Sequence, residues 1–366
     1  MGERSKEQIL IKTAAPLLTA WFMKNKRFMP WREDPTPYHV WVSEIMLQQT
    51  RVDTVMPYYE RFVTALPDVQ ALADCEEDRL LKFWEGLGYY SRVRNMQKAA
   101  RKIVDENNGQ MPENFEELRA LPGIGDYTAG AITSIALHQP EPVVDGNVLR
   151  VISRLLGAYD DIGQQRTKQI YADDLKAFLS EYSGDPSVFN QGLMELGALV
   201  CVPNGAPKCE DCPWNGICTA YLCGSTDEIP VKQAKKARKI EEKTVFVIKR
   251  EEQVGLEKRG EKGLLSGLYG LPMTDGALTE AEAVEWIRAH GMEPAAIRKL
   301  KEEKHVFSHV EWHMRAYAAD VHELKENGAA AEAEKEGIVS NLVFAARDEL
   351  EGKYALPAAF KKWEIF

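Results

Sequence analysis

Leu121-Pro-Gly-Ile-Gly-Asp-Tyr-Thr-Ala-Gly130, followed by Pro142-Val-Val-Asp145-Gly-Asn-Val148, places a glycine turn ahead of a helix start and a carboxylate about twenty residues beyond it. Gly123 and Gly125 lack a Cβ and reach positive φ at little cost. A tight turn there can bring main-chain N–H groups to an anion where a helix begins near Tyr127. A phosphodiester suits such a grip, and its pairing with Asp145 points to chemistry on a nucleic acid. A plainer reading is a glycine turn joining two helices. Asp145 precedes Val148, Val151, Ile152, Leu155 and Leu156 at helical spacing, so it also fits an N-cap. The two readings are compatible.

At 366 residues the chain exceeds the usual single core, and two domains are expected. No run of about eighteen apolar residues is present, and Met1-Gly-Glu-Arg-Ser-Lys-Glu has no signal-peptide core, so a cytoplasmic location without a membrane partner is expected. The net charge of -10 argues against a general polyanion binder. Basic clusters survive within it: Lys24, Lys26, Arg27 and Arg32, then Arg92, Arg94, Lys98, Arg101 and Lys102 along one predicted helix. Solvated helix faces explain such clusters as well.

Residues 1–224 repeat apolar positions at three- and four-residue steps between proline and glycine breaks, which predicts an all-α domain. Residues 225–243, with Pro230, Lys232, Lys235, Lys236, Arg238 and Lys239, read as a basic linker. From 244 to 366 the pattern changes. Thr244-Val-Phe-Val-Ile248 and Met314–Val321 predict strands and Ala281–His290 a helix, giving an α+β second domain.

Cys201, Cys209, Cys212 and Cys218 crowd the end of the first domain, with Cys223 just beyond, and in a cytoplasmic chain that density predicts metal rather than disulfides. One C-x2-C flanked by single cysteines at unequal distances favours a [4Fe–4S] cluster over zinc. Cys75 stands alone and reads as a small buried hydrophobe.

Trp41-Val-Ser-Glu44-Ile-Met-Leu-Gln48-Gln49-Thr50-Arg51 reads as a helix running on to Tyr59, with Trp41, Ile45, Val52, Val55 and Tyr59 on one face and Glu44, Gln48 and Arg51 on another. A glutamate in such a row is by default solvated. However, Pro30-Trp31-Arg32, Val42–Arg51 and Trp84-Glu-Gly-Leu-Gly-Tyr89-Tyr-Ser-Arg-Val-Arg94, with the hairpin at about 115–135 and the cysteines of 201–218, closely resemble MutY-type adenine DNA glycosylases. The resemblance spans nearly all of the first domain. It implies a helix-hairpin-helix base-excision enzyme acting as a monomer on duplex DNA, whose substrate is adenine opposite 8-oxoguanine or guanine. The family's first cysteine interval is one residue shorter than Cys201–Cys209, which leaves Cys223 as an alternative ligand.

A neutral adenine is a poor leaving group, so its release needs a proton on the ring and a stabilised sugar cation. Two carboxylates in opposite protonation states meet that need. The resemblance implies that Glu44 protonates N7 and that ionised Asp145 stabilises or captures the sugar. In endonuclease III-type relatives a lysine occupies the position of Tyr127 and forms a Schiff base, so a tyrosine there implies no lyase step. Tyr127 would instead orient Asp145 or the intermediate. The target base must leave the duplex stack. The resemblance implies that Gln49 and Tyr89 wedge into the gap beside Thr50, Leu87 and Gly88, and that Trp31, Arg32 and Gln191 line the adenine pocket.

Leu264–Pro272 and His305-Val-Phe307-Ser308-His309 resemble the Nudix-like C-terminal domain of the same enzymes. This implies that Phe307, Ser308 and His309 read the altered edge of 8-oxoguanine. The glutamate-rich helix of a hydrolytic Nudix site is not found after Pro272, so no phosphohydrolase activity is expected. Two rival readings are a glycosylase/lyase for oxidised pyrimidines and a non-catalytic DNA grip.

Overall fold

A computed structural model describes residues 3–233, 237–260, 262–323 and 342–366. The chain divides into two compact units, Met1–Cys75 with Ser91–Ala234, and Glu76–Tyr90 with Lys235–Phe366.

The first unit is helical. Its elements are α1 (Glu3–Asn25), α2 (Pro37–Leu47), α3 (Val52–Ala65), α4 (Val69–Asp74), α6 (Ser91–Asn107), α7 (Phe115–Arg119), α8 (Asp126–Ala131), α9 (Gly146–Leu156), α10 (Gln165–Ser180), α11 (Pro186–Leu199) and α12 (Thr219–Leu222). The intervening α5 (Glu77–Phe83) falls in the second unit. Local signals set these boundaries. Thr36 and Asp185 accept main-chain hydrogens at the starts of α2 and α11, and a proline follows each at the first helical position. The predicted apolar row of α9 is buried: Val148, Val151, Ile152 and Leu155 pack with Leu18 of α1, Phe178 of α10 and Leu193 of α11. Among the described residues no helix is long and apolar enough to cross a membrane.

The second unit is built on a mixed sheet whose main path runs β3–β2–β1–β7–β5, with β4 on β1, β6 on β7 and β8 on β2. The strands are β1 (Lys239–Arg250), β2 (Gln253–Lys258), β3 (Tyr269–Gly270), β4 (Met273–Asp275), β5 (Met292–Lys299), β6 (Glu303–Val306), β7 (Val310–Glu323) and β8 (Leu342–Ala345). β1 and β7 are parallel, in register from Lys239↔Val310 to Lys249↔Asp320. Val245 and Val247 enter one core with Leu356 and Phe360. Phe246 and Ile248 enter the other, with Ala283 and Ile287 of α13 (Glu280–Ala289). Such two-sided burial explains the unbroken apolar run of β1. A short α14 (Arg347–Gly352) follows β8.

One sequence expectation is corrected here. The supposed linker of 225–243 already contributes Lys239–Lys243 to the sheet, because β7 supplies a full parallel partner for those residues. Residues 76–90 pack with the second compact unit while remaining part of the helical chain between α4 and α6.

Candidate active site

α2 is buried on almost every side from Val40 to Met46, and Glu44 is only 5% exposed. The expected exposed row of Glu44, Gln48 and Arg51 does not form. α2 ends at Leu47, Gln49 adopts a left-handed φ of 62°, and α3 restarts at Val52. One guanidinium nitrogen of Arg92 donates to the carbonyls of Ile45 (2.7 Å), Met46 (3.2 Å) and Gln48 (2.5 Å). Those are carbonyls a helix end leaves without an internal partner.

Of the two hairpin glycines, only Gly123 has positive φ, at 77°; Gly125 is extended and caps α8. A Cβ on Gly123 would lie 2.7 Å from the Cβ of Asn95, so the turn is set by close packing against α6 as well as by backbone conformation. Tyr127, in the first turn of α8, donates its phenolic hydrogen to Glu44 Oε2 at 2.7 Å. Its hydrogen-bond partner is thus Glu44 rather than Asp145, one of the two groups, with the intermediate, that it is expected to orient. Asp145 does cap α9: Oδ1 accepts from the N–H groups of Asn147 (2.8 Å) and Val148 (2.7 Å), and Oδ2 from the Asn147 side chain (2.8 Å).

Glu44, Tyr127 and Asp145 nevertheless line one cleft of about 740 Å³, together with Trp31, Arg32, Gln49, Thr50 and Gln191. Burial raises the Glu44 carboxyl to about 7, and the nearby Asp145 charge pushes the same way. The Tyr127 hydrogen bond and the Arg32 charge oppose them. Burial also raises Asp145, against the hydrogen bonds it accepts from Val148 and Asn147. Tyr127 is driven well above 10 by burial and by both carboxylates, so it remains a neutral donor. An acid raised to about 7 beside a second carboxylate held by N–H groups can deliver a proton near neutrality and stabilise an adjacent cation.

One wall of the cleft carries a network that the sequence reading missed. Glu195, 1% exposed, binds Arg27 Nε at 2.8 Å and an Arg32 terminal nitrogen at 3.1 Å. Burial alone would raise this carboxyl, but the two guanidinium groups hold it below the usual range. Gln191 accepts from Arg32 Nε at 2.9 Å and donates to Ser187 Oγ at 3.0 Å, so its amide is oriented rather than solvated. The available signal was the i, i+4 spacing of Gln191 and Glu195 on α11. Of the basic clusters, for which a solvated face is an open reading, Arg27, Arg32 and Arg92 are committed to internal acceptors, and exposed Arg101 donates to the Ala73 carbonyl.

Residues 42–176 match the HhH-GPD superfamily of base excision DNA repair proteins, and residues 244–363 match a NUDIX domain. The adenine DNA glycosylase of Buchnera aphidicola subsp. Schizaphis graminum is 36% identical over 303 residues, covering 81% of this chain and 85% of that protein. The chain belongs to the adenine DNA glycosylase family. The mouse adenine DNA glycosylase is 35% identical over 361 residues, covering 82% of this chain and 69% of its own length. A thermostable thymine-DNA glycosylase matches 61% of this chain and 100% of its own at a TM-score of 0.54 and 24% identity, a likeness of fold.

Membership makes the chain a hydrolase of N-glycosyl bonds, and its remaining predicted positions can be placed on this glycosylase. In the second unit, Leu87 is buried, and Gly88 has φ 70° with its carbonyl held by Trp84 Nε1 at 3.0 Å. Tyr89 is 49% exposed at φ 47°. Its hydroxyl lies 3.0 Å from Ser308 Oγ. Phe307 packs edge-on against His305 and Trp312, while Ser308 and His309 are exposed. Glu282 of α13 is used in a capping box with Thr279. In the first unit, Cys201, Cys209, Cys212 and Cys218 line one cavity, with Arg154 donating to Cys201 Sγ at 3.3 Å; Cys223 is exposed and does not line it. Among the described residues no three His, Cys, Asp or Glu side chains gather as around a single ion.

Proposed function

We propose that this enzyme is a monofunctional glycosylase that removes adenine opposite 8-oxoguanine or guanine in duplex DNA. The observation that carries the chemistry is the buried Glu44, with its carboxyl near 7, in the same cleft as Asp145. Glu44 donates its proton to adenine N7 as the C1′–N9 bond breaks and the bonding pair leaves with the base. Asp145, ionised, faces the cation left at C1′ until water attacks there. Tyr127 holds the Glu44 carboxyl and supplies no amine for a Schiff base. Trp31, Arg32 and Gln191 hold the flipped base, with Glu195 and Arg27 fixing Arg32.

Gln49 and Tyr89 are assigned to the opened stack, with Thr50, Leu87 and Gly88 shaping their loops. The left-handed backbone of both wedge residues supports this, since such conformations outside glycine cluster at ligand clamps. Gly123 and Gly125 present the hairpin amides to a phosphate. Phe307, Ser308 and His309 are assigned to the 8-oxoguanine edge. Cys201, Cys209, Cys212 and Cys218 are assigned to a [4Fe–4S] cluster; their common cavity and the exposure of Cys223 support that ligand set. Those four thiolates would hold the cluster, which when bound would cross-link residues 201–218 between α11 and α12; α9 meets this loop through Arg154, which donates to Cys201 Sγ. The deciding assay mixes the protein with duplexes holding adenine opposite 8-oxoguanine, guanine or thymine. Abasic product from the first two without strand cleavage is expected. No product, or a borohydride-trapped covalent complex, overturns the reading.

A further inference from the structure

Asp145 stands at the end of an extended segment, and what holds that segment is not part of any sheet. Between the π-helical turn at Ile132–Ala136 and α9, residues 141–145 run without a strand partner. Extended backbone in a protein interior still needs acceptors and donors for its peptide groups. Asn190 of α11, 0% exposed, supplies both: its Nδ2 donates to the Glu141 carbonyl at 2.8 Å, and its Oδ1 accepts from the Val143 N–H at 3.3 Å. One carboxamide therefore does for this segment what a neighbouring strand does in a sheet, straddling Pro142, which has no N–H to offer. A second element approaches the segment closely. A Cβ on Gly130 of α8 would lie 2.4 Å from the Pro142 carbonyl oxygen, a backbone atom that cannot swing away. α8 and α11 thus both hold Glu141–Val143, two residues before the carboxylate.

We propose that Asn190 is a positioning residue for adenine release, which with Gly130 sets the reach of 141–145 and so the place of the Asp145 carboxylate beside Glu44. This rests on the reading of Asp145 as the group that meets the sugar cation. Losing the clamp lets the segment shift. Asp145 then withdraws from the reacting carbon and from Glu44, whose carboxyl it helps to raise. Misplacement by about 1 Å is enough for a loss of about 100-fold.

The test uses the full chain carrying Asn190→Leu, similar in size but unable to make either hydrogen bond, with Asn190→Asp and Gly130→Ala alongside. Single-turnover adenine release from an A·G duplex, affinity for a duplex with a non-cleavable adenine analogue, and the pH profile of release are measured. Expected are a loss of about 100-fold in release, affinity within a few-fold of the parent, and an alkaline limb moved to lower pH because Glu44 has lost a neighbouring negative charge. A merely structural role would lower stability without moving that limb. If Asn190→Leu does not fold, the same readings on Asn190→Asp and Gly130→Ala decide. Asp145→Asn is the control: near-normal release from that variant would sink the Asp145 reading itself. Loss in Asp145→Asn with parent-like rates and limbs in the Asn190 and Gly130 variants would overturn the positioning role alone.

Discussion

Glu44 is buried beside Tyr127, Asp145 and Arg32, and as the proposed acid it exchanges a proton near neutrality, so these neighbours decide when it does so. With the carboxyl near 7, the charged fraction grows as pH rises, so single-turnover release should fall through an alkaline limb centred near that value. Asp145 must be ionised, and burial lifts it, so the acid limb should lie above the usual carboxylate range. Glu44→Gln should abolish release while retaining duplex binding; near-normal release would refute the acid role. The same shift has a stability consequence. Because the folded carboxyl sits above its unfolded value of 4.5, its contribution is fully present below that value and is lost as pH rises through about 7. Glu44→Gln should therefore unfold at higher denaturant than the parent at pH 8, by up to about 3 kcal/mol, and no difference should remain near pH 4. Tyr127→Phe removes the hydrogen bond that lowers Glu44, so its alkaline limb should move to higher pH. An unmoved limb would show that Tyr127 does not tune the acid. The carboxylates were legible because each lies in a motif with its own chemical reason. Glu195, Asn147 and Asn190 were not, since a polar residue inside a helical pattern reads the same whether it faces water or a buried partner.

At the scale of elements, the decisive features are a turn and a break. The hairpin turn was visible in its glycines, although only Gly123 needs positive φ. Gly123→Ala adds about 1–2 kcal/mol for the left-handed backbone, and its Cβ also meets Asn95. If this turn grips phosphate, affinity should fall by a similar factor for every duplex, whatever base faces the adenine, and the salt dependence of binding should weaken. A loss confined to 8-oxoguanine duplexes would contradict that. The break after α2 was hidden. Periodicity carried the helix on to Tyr59, and a left-handed Gln49 has none of the glycine or proline signal that marks most helix ends. The missing information was Arg92, more than forty positions away, whose guanidinium holds the carbonyls of the terminating turn.

For the molecule as a whole, the unit boundary does not follow the chain. Residues 76–90 leave the helical unit after α4 and return to it at α6, yet belong to the second unit. The Lys82 ammonium donates to the carbonyls of Leu350 (3.0 Å) and Tyr354 (3.1 Å), and Glu85 accepts from the Leu356 N–H at 3.1 Å and pairs with Lys361 at 2.6 Å. These partners are some 270 positions apart, a separation that sequence patterning does not register. The all-α and α+β classes were legible from period and composition; this exchange of a segment was not. It changes what removing residues 225–366 should do. A truncated chain loses Ser308 and His309, and it also strips the Leu87-Gly88-Tyr89 loop of Lys82's and Glu85's acceptors and donors and of the Tyr89–Ser308 contact. Discrimination for 8-oxoguanine over guanine should therefore collapse toward unity while release from A·G is slowed less, and residues 76–94 should become a protease-sensitive window cut at Lys82 or Arg92. Lys82→Met with Glu85→Gln in the full chain isolates the second effect: Phe307, Ser308 and His309 remain and only the staple is lost. That variant, which has no basic residue left at position 82, should be cut in the same window at Arg92, with part of the loss in discrimination. Parent-like protection and discrimination would mean that the segment holds its loop without the second unit.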